Sequence, residues 1–269
     1  MKSRRCVLIT GASSGIGAAT ASRLAGADFR VFGTTRHPAA LPADAPEIEW
    51  IGMDVRDETS VRAGVDGVLA AAQRLDAVVC NAGFGLFGSV EEVSLSQARG
   101  QFDTNFFGTL ATLRCAIPAL RMAGHGRIVL VGSLAGRAPI PFQAHYSASK
   151  AAVEALAWSL ANEVQEFGLQ VSLVEPGDIR TPFNQNTDFK PSKQSIYGAA
   201  IERCREVVQR SLDEAPEPSV VAEAIHQALA EPRPRFRYAV GREALGVAIA
   251  RRLLPDRWSL RLLRRHFGL

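Results

Sequence analysis

The chain has 269 residues, 47% hydrophobic and 22% charged, enough for one sizeable buried core and too apolar for wholesale disorder. Its formal net charge of +4 is carried by the end of the chain, where residues 233–269 hold ten arginines against two acids; the body is mildly acidic, and no nucleic-acid partner is expected. Four widely spaced cysteines without a CxxC pair argue against a disulfide framework or a metal site and for a reducing, cytoplasmic setting. The basic residues 1–5 precede too short an apolar stretch for a signal peptide, and no uncharged run approaches the ~18 residues of a membrane span.

In chain order, short β-rich runs at residues 6–10, 30–34, 49–52, 77–80, 127–131, 170–175 and 235–240 alternate with helical patterns at 15–25, 59–73, 94–123, 146–167 and 219–230. Several runs are nearly continuous in Val, Ile and Leu, as expected of parallel strands buried on both faces. The alternation predicts a single α/β domain over residues 1–242, a doubly wound, Rossmann-type, seven-stranded parallel sheet flanked by helices. Two regions fall outside it: residues 178–211, polar and then helical, and the basic extension 243–269.

The first strand runs into Thr10-Gly11-Ala12-Ser13-Ser14-Gly15-Ile16-Gly17. Glycines there permit positive φ and close backbone approach, and the following helix offers unpaired N–H groups and a positive dipole end, which together suit a dinucleotide pyrophosphate. At the end of the second strand, where an acid would take the ribose hydroxyls of NAD, stands Arg36; a guanidinium pairs with the 2′-phosphate of NADP. The predicted cofactor is therefore NADP(H) in preference to NAD(H).

Tyr146 and Lys150 are four residues apart at the start of a helical pattern, on one face. A free phenol has a pKa near ~10, too high for a base at neutral pH; an adjacent ammonium is expected to lower it and let the phenol exchange a proton with a carbonyl or hydroxyl. Ser133 ends the fifth strand, on the sheet edge where ligands bind, placed to hydrogen-bond the reacting oxygen.

With these residues in view, the sequence resembles the classical short-chain dehydrogenases/reductases over about nine-tenths of its length, and its tail, more weakly, resembles extensions of the steroid/retinol-dehydrogenase-like branch. Residues 10–17 look like the family's TGxxxGIG. Asp54-Val55 matches the acidic position that meets the adenine ring, and Asn81-Ala82-Gly83 matches NAG. Asn105 matches the helix Asn that holds a proton-relay water; Ser133, Tyr146 and Lys150 match the catalytic trio. Pro176-Gly177-Asp178-Ile179-Arg180-Thr181 resembles PGxIxT, which implies cofactor contacts by Pro176, Gly177, Ile179 and Thr181. The resemblance further implies Tyr146 as acid/base, Lys150 as the group that lowers its pKa and holds the nicotinamide ribose, and a homo-oligomer, dimer or tetramer.

Substrate choice is expected from a lid at 178–211, with Phe183, Phe189, Ile196 and Tyr197 lining an apolar pocket, aided by residues 84–87 and 135–142. The substrate expected is a hydrophobic carbonyl or secondary alcohol: a steroid, a retinoid or a lipid-like compound. The alternatives are a 3-oxoacyl-thioester reductase acting on acyl carrier protein or CoA esters, and a non-catalytic NADP(H)-sensing regulatory protein. On a helical wheel, Trp258, Leu260, Leu262, Leu263 and Phe267 gather on one broad face and Arg257, Arg261, Arg264 and Arg265 on the other. That pattern suits packing on the domain or on a neighbouring subunit, with weak peripheral membrane contact as the other reading.

Overall fold

The computed structural model describes residues 4–37, 47–181, 195–242, 244, 246 and 253–269. Seven strands, β1 (Arg5–Ile9), β2 (Phe29–Thr35), β3 (Ile48–Gly52), β4 (Ala77–Cys80), β5 (Gly126–Val131), β6 (Leu169–Pro176) and β7 (Arg237–Val240), form one parallel sheet in the order β3-β2-β1-β4-β5-β6-β7. The strands lie where the apolar runs predict them, with ends shifted by a residue or two.

Side chains alternate across the strands, which explains why the runs are apolar throughout. Leu8 of β1 and Ile128 and Leu130 of β5 join one core cluster with Leu113, Leu120 and Leu160. Their neighbours Val7, Ile9, Val129 and Val131 join a second cluster on the opposite face with Leu24, Ile225 and Leu229. Burying each such leucine contributes roughly 1.5–3 kcal/mol. One face is covered by α2 (Glu58–Ala72), α4 (Gly108–Met122) and α5 (Ala144–Glu163); the other by α1 (Gly15–Ala25) and α7 (Ser219–Ala230).

Local chemistry starts and stops these helices. Asp57 caps α2 by accepting from the Thr59 N–H at 2.9 Å, and Gln73 closes it in the left-handed region at φ 59°. Ser94 and Gln97 form a reciprocal capping box at the start of α3 (Leu95–Phe102). The long helix predicted over 94–123 is interrupted: between α3 and α4 the backbone widens into a π-turn at Asp103–Phe107. Such turns insert a residue into the helical register and re-aim a side chain, and here Asn105 is carried inward, 1% exposed. Hydrophobic periodicity does not report this, because α3 and α4 each keep their own period.

The strand order reverses between β1 and β4, so the loops leaving their carboxyl ends diverge and open a crevice. Two further helices close one side of it. α6 (Gly198–Asp213) follows the lid segment, and α8 (Asp256–His266) is the helix predicted in the basic extension. Leu263 and Phe267 of the extension pack with Ile201 and Cys204 of α6 and with Leu86, Phe87 and Val93 after β4, forming a separate apolar cluster.

Candidate active site

The turn after β1 is held against the end of β4. The Asn81 side chain donates to the carbonyls of Thr10 (3.0 Å) and Gly11 (3.1 Å), while Thr10 Oγ1 accepts from the N–H groups of Asn81 (2.9 Å) and Ala82 (3.0 Å). Gly11 sits at φ +65°, and a Cβ there would come within 3.0 Å of the Ala82 backbone. At Gly17 a Cβ would lie 2.1 Å from the Gly11 carbonyl oxygen and 2.6 Å from Asn81 Nδ2. Both glycines are therefore demanded by close packing; Gly11 also lines the adjoining cavity, whereas Gly17, expected at the cofactor, does not. Gly17→Ala is expected to destabilise the protein by roughly 1–3 kcal/mol or more, as overpacking against immovable backbone does. Urea denaturation checks this; a variant with the wild-type midpoint would refute it.

This turn presents the amino-terminal end of α1 to a cavity of about 1500 Å³. Gly11, Ser13, Ser14, Gly15 and Ile16 line its floor. At one end lie Arg36, Asp54 and Val55. Arg36 is exposed at the end of β2. Asp54 pairs with Arg56 at 2.6 Å, and that guanidinium, helped by the charge of Arg36, holds the carboxyl down near about 2. Arg56 was not foreseen; its only signal in the sequence is its place two residues after Asp54, the reach of a local ion pair.

Asn81, Ala82 and Gly83 line the same cavity, as do Pro176, Gly177, Ile179 and Thr181. Pro176 and Gly177 are fixed by the sheet, the Gly177 N–H donating to the Val240 carbonyl at 2.7 Å.

Ser133, Tyr146 and Lys150 meet here. Ser133 caps a short 3₁₀ turn (Leu134–Gly136), its Oγ accepting from the Ala135 N–H at 3.1 Å and donating to the Pro176 carbonyl at 3.4 Å. Tyr146 is 9% exposed in the first turn of α5. Burial pushes its phenol up to about 12, opposed by a hydrogen bond with Ser133. This corrects the sequence expectation that Lys150 lowers the phenol. The Lys150 ammonium lies 5.9 Å from the tyrosine ring centroid and donates to the Val131 carbonyl at 2.9 Å. Itself 5% exposed, Lys150 is brought down to about 8 by burial. One-face spacing is correct as geometry, but burial sets the direction of the shift for both groups.

Asn105 also differs from expectation. Its Oδ1 accepts from the Phe84 N–H (3.0 Å) and its Nδ2 donates to the Phe84 carbonyl (3.1 Å) and to Ser149 Oγ (3.0 Å). Ser149 in turn donates to the Tyr146 carbonyl at 2.7 Å. The amide is thus a brace between the loop after β4 and the first turn of α5, and its side chain does not line the cavity. Ser149 was unread in the sequence, being one small residue among several. Also unforeseen was Arg137, which lines the cavity beside Ser133 and lies 3.9 Å from the fully buried Glu175.

At the substrate end the prediction was partly misplaced. Tyr197 does not line the cavity: its hydroxyl donates to Glu91 at 2.8 Å and its ring packs edge-on against Phe142, centroids 6.2 Å apart. Tyr197 stands just before α6 and meets the loop after β4 instead. Phe183 and Phe189 lie outside the described residues, and Ile196 is exposed. Of residues 84–87, Phe84 lines the cavity while Leu86 and Phe87 are core. The apolar wall comes from Ile140 and Val208, within the expected stretches 135–142 and 178–211, and, beyond them, from Leu134, from Leu212 of α6 and from Leu260 and Leu263 of α8.

A doubly wound parallel sheet, a glycine turn at its switch point and a serine, tyrosine and lysine gathered above it define a dinucleotide-dependent α/β oxidoreductase. The family model described as short chain dehydrogenase matches residues 5–191. The chain is 34% identical over 237 residues to a 3-ketodihydrosphingosine reductase of Bacteroides thetaiotaomicron, covering 87% of each. It is 34% identical over 254 residues to 17-beta-hydroxysteroid dehydrogenase type 1 of Homo sapiens, covering 87% of this chain and 77% of that one. A solved short-chain dehydrogenase from Streptomyces avermitilis superposes with a TM-score of 0.82 at 31% identity, covering 100% of this chain and 97% of its own. The chain belongs to the short-chain dehydrogenase family, whose members are oxidoreductases that bind nicotinamide cofactors and act on small molecules. The cradle fits such a cofactor: close-approach glycines, a helix amino-terminus and flanking hydroxyls suit a pyrophosphate. No helix among the described residues is long and apolar enough to cross a membrane.

Proposed function

We propose that the protein is an NADP(H)-dependent oxidoreductase that interconverts a hydrophobic carbonyl compound and its secondary alcohol. The observation that carries the reading is the meeting of Ser133, Tyr146 and Lys150 in one cavity that glycines and hydroxyls line together with apolar side chains. The two curated relatives support it, since each name joins a keto or hydroxyl group to a largely apolar skeleton.

In this reading the glycine turn, with Ser13 and Ser14, holds the pyrophosphate. Asp54 and Val55 flank the adenine, and residues 81–83, Pro176, Gly177, Ile179 and Thr181 flank the nicotinamide. The bound cofactor supplies a hydride for the carbonyl carbon in reduction and accepts one in oxidation. The matching proton is the protein's part. A phenol held near about 12 is protonated across the neutral range, so Tyr146 donates its proton to the carbonyl oxygen in reduction and takes it back in oxidation. The Ser133 hydroxyl donates to the Pro176 carbonyl over a long 3.4 Å. It turns to donate to the substrate oxygen, where charge accumulates. Lys150, anchored on Val131, holds the ribose hydroxyls beside the tyrosine. Asn105, through Ser149, fixes the first turn of α5 so that the phenol keeps its aim.

NADP(H) preference rests on Arg36, because Asp54 already engages Arg56, which leaves Arg36 as the guanidinium placed for a 2′-phosphate. Arg36→Asp is expected to lower the NADP/NAD ratio of kcat/KM by about tenfold or more, since charge-assisted bonds to phosphate are worth ~1.5–3 kcal/mol. Initial rates with both dinucleotides measure it, and an unchanged ratio would remove Arg36 from the role. The activity itself is tested by NADPH consumption with a panel of steroid, long-chain and short-chain ketones and 3-oxoacyl thioesters. NADPH binding without turnover of any of them would replace this reading with that of a nucleotide sensor.

A further inference from the structure

The arginine stripe of α8 is not used by the site. The helix turns Ser259, Leu263 and Phe267 inward at successive turns; Phe267 is 6% exposed, and Arg203 of α6 donates to the Gly268 carbonyl at 2.9 Å. Ser259, Leu260, Leu262, Leu263, His266 and Phe267 line the cavity, so this helix is one of its walls. Arg257, Arg261, Arg264 and Arg265 are all exposed, and none lines the cavity. At ~100° per residue they form a single stripe opposite the docked side. Exposed apolar side chains flank that stripe: Leu260 on one side, Trp258 and Leu262 on the other, with Leu253 and Leu254 just before the helix. The Arg261 guanidinium stands 5.4 Å over the Trp258 ring.

Four guanidinia and five water-exposed large apolar side chains within residues 253–265 make an unusual surface for a solvated helix. Asp256 is the one acid in residues 253–269. Pairing this helix with that of a second copy would set arginines against arginines. An acidic protein surface would satisfy the charges and leave Trp258 and the leucines wet. A phospholipid surface satisfies both, because guanidinium pairs bidentately with phosphate, an indole favours headgroup depth and leucines reach the acyl boundary.

We propose that α8 docks the protein on an anionic lipid surface. The apolar wall of the cavity then stands at the headgroup boundary, and an amphiphilic carbonyl or alcohol passes between bilayer and cavity without crossing bulk water. The substrate part of this inference rests on the proposed oxidoreductase activity; the docking part does not.

The test is co-sedimentation of the full chain with phosphatidylcholine vesicles and with the same vesicles containing phosphatidylglycerol. Binding is expected only to the anionic vesicles. It should fall by ~tenfold or more in high salt and in the Arg257→Gln, Arg261→Gln, Arg264→Gln, Arg265→Gln variant, as expected when several basic groups act near a charged surface. The corresponding four Arg→Lys changes should retain most of it. Turnover of a water-soluble short ketone should be unaffected by the glutamine variant, while turnover of a vesicle-embedded ketone drops. Failure to sediment with anionic vesicles at low salt, or equal sedimentation of wild type and glutamine variant, would overturn the proposal. So would a salt-sensitive dimer on sizing without lipid binding, which would assign the face to a second copy. Failure of the oxidoreductase reading would show separately, as absent turnover of every ketone with vesicle binding intact.

Discussion

Tyr146→Phe is expected to lower turnover by about 10²–10⁴-fold, the range contributed by a positioned general acid, while the protein stays folded and still binds dinucleotide. The change deletes one oxygen at a site 9% exposed. The ring that packs the first turn of α5 is kept, so the stability change should stay within about 1 kcal/mol. The brace from Asn105 through Ser149 ends on the Tyr146 backbone carbonyl and survives the substitution. A loss in kcat without a matching loss of dinucleotide affinity is therefore the signature, read by steady-state rates alongside a fluorescence titration. A Phe variant within a few-fold of wild type would show that the proton comes from elsewhere. Because burial holds the phenol up at about 12, the reduction rate should be flat across neutral pH as far as this donor is concerned. The oxidation rate, which needs the phenol to lose its proton, should climb towards alkaline pH.

Lys150→Met has the opposite effects on stability and function. The folded protein holds the Lys150 ammonium at about 8, below its ordinary 10.5, because burial disfavours the charge. Below pH 8 both folded and unfolded chains carry the proton, and the fold bears the full desolvation cost, about 3 kcal/mol at most for a shift of this size. Between pH 8 and 10.5 the unfolded chain binds more protons than the folded one, so stability rises with pH. A methionine of similar length has no such dependence. At neutral pH the variant should be the more stable protein, by less than that maximum because the bond to the Val131 carbonyl is lost. Its advantage should shrink as pH rises from 8 towards 10; above 10 Tyr146, held protonated in the fold, begins to lower wild-type stability and ends the useful range. Urea denaturation of both proteins at several pH values measures the difference. A variant less stable than wild type at neutral pH would show that the hydrogen bond outweighs desolvation. Its activity should nevertheless collapse, as expected where a strained group is kept for chemistry rather than for folding.

The salt dependence of vesicle binding separates a lipid-docking helix from an ordinary surface helix, and the Arg36 ratio separates cofactor choice from catalysis. Each of these experiments addresses one element of the molecule and leaves the others standing.

The sheet was legible because its central strands are buried on both faces, which forces continuous apolar runs such as Val7–Ile9 into the sequence itself. The glycine turn was legible because positive φ and a backbone contact near 3 Å exclude any side chain at Gly11. The Ser133, Tyr146 and Lys150 set was legible because its members sit at stated points of elements whose direction follows from the alternation. What remained hidden depended on which neighbour a side chain meets. The place of Tyr197 in the lid segment suggests an apolar pocket but cannot tell the cavity from Glu91. Periodicity likewise cannot distinguish a continuous helix from one widened at Asp103–Phe107, or reveal that Arg56 occupies Asp54.

Composition and pattern therefore determined the α/β class, the switch-point cradle and the gathering of the groups proposed to react, all of which are consequences of local backbone geometry and strand burial. Tertiary structure alone decided their electrostatics and the shape of the substrate end. A pKa is set by everything that surrounds the group, and here burial reverses the shift that spacing alone suggests for Tyr146. The cavity wall, similarly, is built from residues more than a hundred positions apart, Ile140 and Leu263, which only the packing of α8 brings together.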